Sequence, residues 1–264
     1  MTAAPSAFDQ PAVVLRLRAA GCVFAEDEAR LLVEAAGTPA ELALLVDRRV
    51  AGDPLEHLLG WAEFCGLRVS VGPGVFVPRR RTGFLVRQAA ALASRGSVVV
   101  DLCCGSGAVG MAVAAATDGI ELHAADVDPV AVAVARSNLG TTAVHEGDLF
   151  EALPAALHGR VDVLVANVPY VPSGSIALMP PEARDHEPRI ALDGGPDGLD
   201  VVRRVTAGAP AWLAPAGSLL FESSADQARN AVEIVAAAGL EARVVSDDEL
   251  GATVVIGTLR RQYG

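Results

Sequence analysis

Positive charge is scarce in this chain. Its 264 residues carry 21 Lys and Arg against 32 Asp and Glu, a formal net charge of −11. A protein that grips nucleic acid gains affinity by neutralising phosphates with Lys and Arg. This one would meet a duplex with a repulsive mean field, so direct nucleic-acid binding is not expected. A small molecule or a basic protein fits the charge better. The one basic run, Arg79-Arg80-Arg81, is expected as a solvated face, with substrate docking as the other reading. Long hydrophobic runs are missing too. None reaches the ~18 residues of a membrane span, and no basic segment precedes a hydrophobic one in the opening MTAAPSAFDQPAVVLRLRAAG. A membrane is therefore not expected as a partner, and the cytoplasm is the expected location. Cys22, Cys65, Cys103 and Cys104 show no CxxC spacing and no histidine at metal-ligand spacing, which argues against a zinc site or a disulfide framework. Adjacent Cys103 and Cys104 read as small fillers. No Walker lysine follows the glycine turn at 105–107, which excludes a triphosphate-hydrolysing P-loop.

What is present is apolar. Hydrophobic residues make up 52% of the chain, enough for one large domain and a small one. The first sixty residues read as short helices. TPAE at 38–41 offers Thr38 as N-cap, Pro39 at the first position and Glu41 three after the cap. DPLE at 53–56 repeats the pattern with Asp53. Gly37 and Gly52 end the preceding helices. LRVSV and VFVP then flank Gly72-Pro73-Gly74, which reads as a β-hairpin with a proline-containing turn. From residue 82 strands and helices alternate, and seven strands are expected in a parallel, doubly wound sheet. The link between the last two strands is too short for a helical crossover, so the final strand should pair antiparallel. The domains expected are 1–62, helical; 63–81, a hairpin linker; and 82–264, the catalytic α/β unit.

Three strand ends carry acid. VVVDLCCGSGAVG runs from strand through Asp101 and a glycine turn into a helix; the next strand ends at Asp126 in AADVD, a third at Asp148 in EGDLF. Ligands of doubly wound sheets sit beyond the carboxyl ends of the strands, and glycines there let them approach the backbone. Three acids in this order suit a ligand with an amine, a ribose and an adenine, as S-adenosylmethionine has. The fourth strand ends in NVPY. The Asn167 side-chain carbonyl and the backbone carbonyl of Val168 are acceptors, Pro169 fixes direction, and Tyr170 can cover a planar group. Together they form a holder for a planar NH2 group, whose lone pair they would aim at a methyl donor.

These stretches resemble the HemK/PrmC type of protein-glutamine methyltransferase, which modifies the Gly-Gly-Gln loop of peptide-chain release factors. GDPLEHLLGWAEFCGLRVSVGPGVFVPR is similar to that family's connecting segment, VVVDLCCGSGAVGMAVA to its cofactor loop, and AADVDPVAVAVARSNL to its ribose-binding turn and helix. NVPY stands at its Asn-Pro-Pro-Tyr motif, and HEPRIALDGGPDGLD, 186–200, matches the most family-specific segment. The resemblance implies a Rossmann-like class I methyltransferase fold with S-adenosylmethionine as cofactor. It also implies a helical substrate-recognition domain and a protein substrate such as a release factor. Cofactor contacts are then expected from Asp101, Cys103, Gly105, Ser106 and Gly107, with Asp126 and Val127 at the ribose and Asp148 and Leu149 at the adenine. Asn167, Val168, Pro169 and Tyr170 would hold the substrate amide, with Asn167 also near the cofactor. His186, Glu187, Asp193 and Asp197 are expected to anchor and cap loops. Departures from the family point to a divergent paralogue. Val168 replaces its first proline, and Cys103 a glycine, tolerable only at negative φ. PRRRTG stands for Pro-Arg-Pro-Glu-Thr-Glu, which removes two carboxylates at Arg81 and Gly83. Three alternatives remain: a small metabolite with a planar amine or amide as substrate, a nucleic-acid amine, and a binding module without turnover.

Overall fold

A computed structural model of the chain describes residues 9–141 and 143–261. The first eight residues of the expected helical domain and the last three of the catalytic one lie outside them. Four helices come first: α1 (Gln10–Ala19), α2 (Ala25–Ala35), α3 (Pro39–Val50) and α4 (Leu55–Leu59). Their own core includes Leu17, Leu32, Leu42 and Val46. Thr38 caps α3 as expected, accepting from Glu41 N at 3.2 Å, while Glu41 Oε2 accepts from Gly37 N. Asp53 does not cap α4. That helix starts one residue later than the motif suggests, after Pro54, and Asp53 instead pairs with Arg48 at 2.6 Å.

The hairpin also differs from its expected position. Its strands are β1 (Trp61–Phe64) and β2 (Leu67–Ser70), joined by Cys65 and Gly66 at φ 51° and 77°. Two left-handed residues match the twist of the flanking strands, so this turn wins over Gly72-Pro73-Gly74. The latter makes a single tight turn, with Val75 N donating to Gly72 O, and Val75 and Val77 are buried outside any strand.

From residue 83 the chain alternates as expected: α5 (Gly83–Leu92), β3 (Val98–Leu102), α6 (Ala108–Ala116), β4 (Glu121–Asp126), α7 (Pro129–Leu139), β5 (Val144–Glu146) and β6 (Val161–Ala166). It continues with α8 (Pro181–His186), α9 (Asp200–Trp212), β7 (Leu213–Ser223), α10 (Ala225–Ala237), β8 (Leu240–Asp247) and β9 (Ala252–Leu259). The sheet order is β5-β4-β3-β6-β7-β9-β8, with β9 antiparallel to both neighbours. Every residue of β3 is buried, because the strand is covered on both faces. Val100 and Leu102 join Leu164 and Phe221 on one side, and Val99 joins Val163 and Leu220 on the other. The direction of winding reverses between β3 and β6. That switch point leaves a crevice beyond the strand ends. Leu102 pairs with both Ala125 and Ala166, so the loops after β3, β4 and β6 leave the sheet at one level.

Candidate active site

A cavity of about 310 Å³ fills this crevice, and Asp101, Asp126, Asp148 and Asn167 all line it. Asp101 has no exposed surface. Its Oδ2 accepts from Gly110 N at 2.8 Å, while Oδ1 has no partner. Burial pushes its carboxyl up to about 7 against the lowering effect of that N–H. Gly105 N donates to Asp126 Oδ2 at 2.8 Å and Asp128 N to its Oδ1 at 2.9 Å. The turn between β3 and β4 is thus tied across the strands. Burial also raises the Asp126 carboxyl. An ionised carboxylate has about four acceptor sites, so two backbone donors leave room for ribose hydroxyls.

Cys103 departs from expectation. Its φ is 53°, in the left-handed region, and Gly105 and Gly107 follow at 56° and 76°. The turn keeps the glycine conformation even though a side chain now occupies it, at a cost of about 1 kcal/mol. Burial beside Asp126 and Asp101 pushes the Cys103 thiol far up, so it stays a thiol. Gly107 alone among the expected cofactor residues does not line the cavity. It is the N-cap of α6, and a β-carbon there would stand 2.7 Å from Leu139 Cδ1.

At the far end Asp148 and Leu149 line the cavity, Leu149 at φ 50°. Arg204 of α9 reaches Asp148 Oδ2 at 2.6 Å, a partner the sequence does not announce. Val127, half exposed, lines the rim.

The strand β6 delivers NVPY to the opposite wall. Asn167 is half-buried and lines the cavity; Val168 is 2% exposed, and its side chain belongs to the core. The replacement of proline here therefore leaves an apolar filler in the core cluster that also holds Leu102 and Phe221, and a backbone carbonyl. Family-like residues 192–198 brace this loop. Val171 N donates to Leu192 O, Gly194 N to Val171 O, and Ser173 N to Gly195 O, all between 2.9 and 3.0 Å. Gln227 Nε2 donates to Tyr170 O and Asp197 O, each at 2.9 Å. Asp193 and Asp197 do cap turns here: they accept from Gly195 N and Leu199 N and pair with Arg189 and Arg203.

The basic run is not simply a solvated face. Arg79 pairs with Glu187 at 2.6 Å, and Arg81 Nε with Glu222 Oε1 at 2.8 Å. Arg81 Nη2 also reaches Tyr170 OH at 2.5 Å, and that hydroxyl donates to Glu222 at 3.1 Å. Thr82 Oγ1 gives Glu222 its third bond. The reason lies in Glu222: it sits in the buried run of β7 at 3% exposure and must be neutralised where it stands. Within this run of three, Arg80 is the exposed residue without an ion pair. Burial and the neighbouring Glu222 push the Tyr170 phenol up to about 12.

Sequence reading missed Glu222, Gln227 and Arg204. Two signals were available. Glu222 is a charge at the end of SLLFES, and Ser224-x-x-Gln227 has capping-box spacing, which the structure realises.

Sheet order and a switch-point cavity with an acid at successive strand ends define a class I methyltransferase fold. A solved methyltransferase from Pyrococcus furiosus shares that fold, with a TM-score of 0.55 at 15% identity over 74% of this chain and 90% of its own. The family model described as methyltransferase small domain matches residues 67–178. The release factor glutamine methyltransferase of Geobacter sulfurreducens is 36% identical over 226 residues, covering 83% of this chain and 78% of its own. That of Bifidobacterium longum is 34% identical, covering 92% and 90%. The chain belongs to the release factor glutamine methyltransferase family, the HemK/PrmC type.

Proposed function

We propose that this protein transfers a methyl group from S-adenosylmethionine to the side-chain amide nitrogen of a glutamine in a protein, its substrate being a peptide-chain release factor. The observation that carries this is the placement of Asn167 and the Val168 backbone on one cavity with Asp101, Asp126 and Asp148. The residues fit the cofactor. Asp101 Oδ1, without a partner, suits an ammonium; Asp126 keeps acceptor sites for ribose hydroxyls; Asp148 and Leu149 suit an adenine edge. Gly105 and Ser106, together with Cys103, bring backbone close to the methionine part, and Val127 covers the ribose. When bound, the cofactor supplies an electrophilic sulfonium methyl.

The chain's own part is orientation. An amide nitrogen is a poor nucleophile because its lone pair is delocalised. Asn167 Oδ1 and the carbonyl of residue 168 accept its two N–H bonds, turn the lone pair toward the methyl and stabilise the positive charge that grows on nitrogen. Pro169 sets the carbonyl's direction and Tyr170 covers the amide plane. Tyr170 remains a phenol at neutral pH and Cys103 a thiol, so neither serves as a base or nucleophile. None is required, since the proton leaves after transfer. The helical residues up to 62 would recognise the protein substrate, the segment 63–81 would connect, and 82–264 would catalyse. A cytoplasmic location goes with that substrate class. A small planar amine or amide is the second reading, favoured by Arg81, which stands in place of a family carboxylate, lines the cavity and bonds the Tyr170 hydroxyl.

The test is transfer of labelled methyl to the producing organism's own release factor, beside a version with its loop Gln replaced by Ala. Label on the first alone supports the reading. Label on neither, with calorimetry showing cofactor bound, moves the substrate to a small molecule. Asn167→Ala should lose about 100-fold or more in kcat and keep cofactor affinity within about twofold.

A further inference from the structure

The wall of the cavity opposite the cofactor loop is a segment that the catalytic sheet barely holds. Met179, Glu187, Pro188, Ile190 and Leu192 all line the cavity. The helix α8 stands behind them. It has six residues and no side-chain cap, too short to persist without tertiary support.

Its support comes from the other end of the chain. Arg49, at the end of α3, is 8% exposed and places its guanidinium between two carboxylates. Nε and Nη2 bond Glu28 of α2 at 2.6 and 3.3 Å, and Nη1 bonds Asp53 O at 3.1 Å and Glu182 of α8 at 2.6 Å. The fork is fixed within the helical domain by Glu28, so its free side presents a rigid cation to α8. Two further links run the same way. His186 Nδ1 lies 3.6 Å from Asp53 Oδ1. Glu187 Oε1 accepts from Arg79 Nη2 and from Val77 N in the connector. Arg189 pairs with Asp193 at the far end of the segment, while the links from α8 and Glu187 lead to the helical domain and the connector.

We propose that Arg49 is a positioning residue for the substrate wall: through Glu182 it holds α8, so that the helical domain sets the shape of the cavity's substrate side as well as any surface for docking. This rests on the protein-methylating reading given above. With Glu182 removed the wall should occupy its competent position for a smaller fraction of the time. Apparent substrate affinity falls by that fraction, while turnover from the assembled site does not change.

The test uses the full chain and Glu182→Gln, at a half-exposed position where folding should be unaffected. Losing one ion pair of this kind corresponds to about fivefold. KM for the release factor should rise by up to about fivefold, with kcat and S-adenosylmethionine affinity within twofold. Arg49→Lys, which keeps the charge and loses the fork, should give a smaller rise in KM. Amide exchange in the free protein should quicken at Ala183, Arg184 and Glu187, whose N–H groups bond within α8 and its entry turn. Unchanged KM and unchanged exchange would overturn the proposal. So would a parallel fall of kcat and cofactor affinity. If the wild-type chain leaves release factors unlabelled, the functional reading fails, and exchange still decides the role of Arg49: faster exchange in Glu182→Gln supports it and unchanged exchange removes it.

Discussion

A β-carbon on Gly194 would stand 2.7 Å from the carbonyl oxygen of Pro169. The same atom would lie 2.7 Å from Gly198 O, so two backbone segments meet where only hydrogen fits. The family-like glycines of 194–198 are thus the packing surface of the NVPY loop. Gly194→Ala should push Pro169, and with it the Val168 carbonyl, out of position. Displacements of about 1 Å at such a site cost up to about 100-fold in rate. Kinetics should show a loss of that order in kcat with cofactor affinity nearly intact. Wild-type kcat in this variant would show that the loop tolerates displacement.

Cys103 holds a left-handed turn at φ 53°. Any β-carbon there is strained by about 1 kcal/mol. Cys103→Gly should therefore be more stable than Cys103→Ala by about that amount, the reverse of the usual order between these residues. Denaturant unfolding of the two variants measures the difference directly. Equal midpoints, or alanine above glycine, would contradict the strain.

Asp101 titrates near 7 when folded, because it is buried. The ordinary aspartate value is about 3.9, so its folded pKa is raised and the native state holds the proton more tightly. Its favourable contribution is full below about pH 4 and is lost as pH rises to about 7. Asp101→Asn should flatten that part of the stability–pH curve. Cofactor binding should show the opposite dependence, since a cationic ammonium prefers the ionised carboxylate. Affinity should weaken by up to about tenfold per unit below pH 7, and the Asn variant should lose that slope. Calorimetry between pH 5.5 and 8 reads both proteins, and an identical slope in the two would assign the titration elsewhere.

Glu222 accepts from Arg81, Thr82 and Tyr170 while almost fully buried. Tyr170→Phe removes one donor of three and should cost little. Arg81→Ala leaves a buried carboxylate without its cation and should destabilise by about 2 kcal/mol, less than for a fully buried pair because Arg81 is half exposed. Adding Glu222→Gln to Arg81→Ala should restore part of that loss. Thermal unfolding of the single and double variants tests this, and strict additivity would deny the coupling.

Much of the site was legible because its signals are local. Short apolar strands, intervening helices and an acid at successive strand ends are written within a few residues of one another, and so is NVPY. The hairpin was misplaced for the same reason: Gly72-Pro73-Gly74 is the louder turn signal, yet Cys65-Gly66 has the dihedral signs that strand twist requires.

By itself the sequence determined the succession of strands and helices, the doubly wound class of the sheet, and the chemistry carried by Asp101, Asp126, Asp148 and Asn167. These follow from periodicity and short spacing, which act along the chain. The tertiary structure alone decided the pairs: Arg81 with Glu222, Arg79 with Glu187, Arg204 with Asp148 and Arg49 with Glu182. Such partners lie far apart in sequence, and a carboxylate, whether buried like Glu222 and Glu187 or half-exposed like Asp148 and Glu182, takes whichever cation packing brings within reach. Packing also decided that Cys103 should keep a glycine's φ, since the turn is held by Asp126 and Gly105 across the strands rather than by the preference of the residue within it.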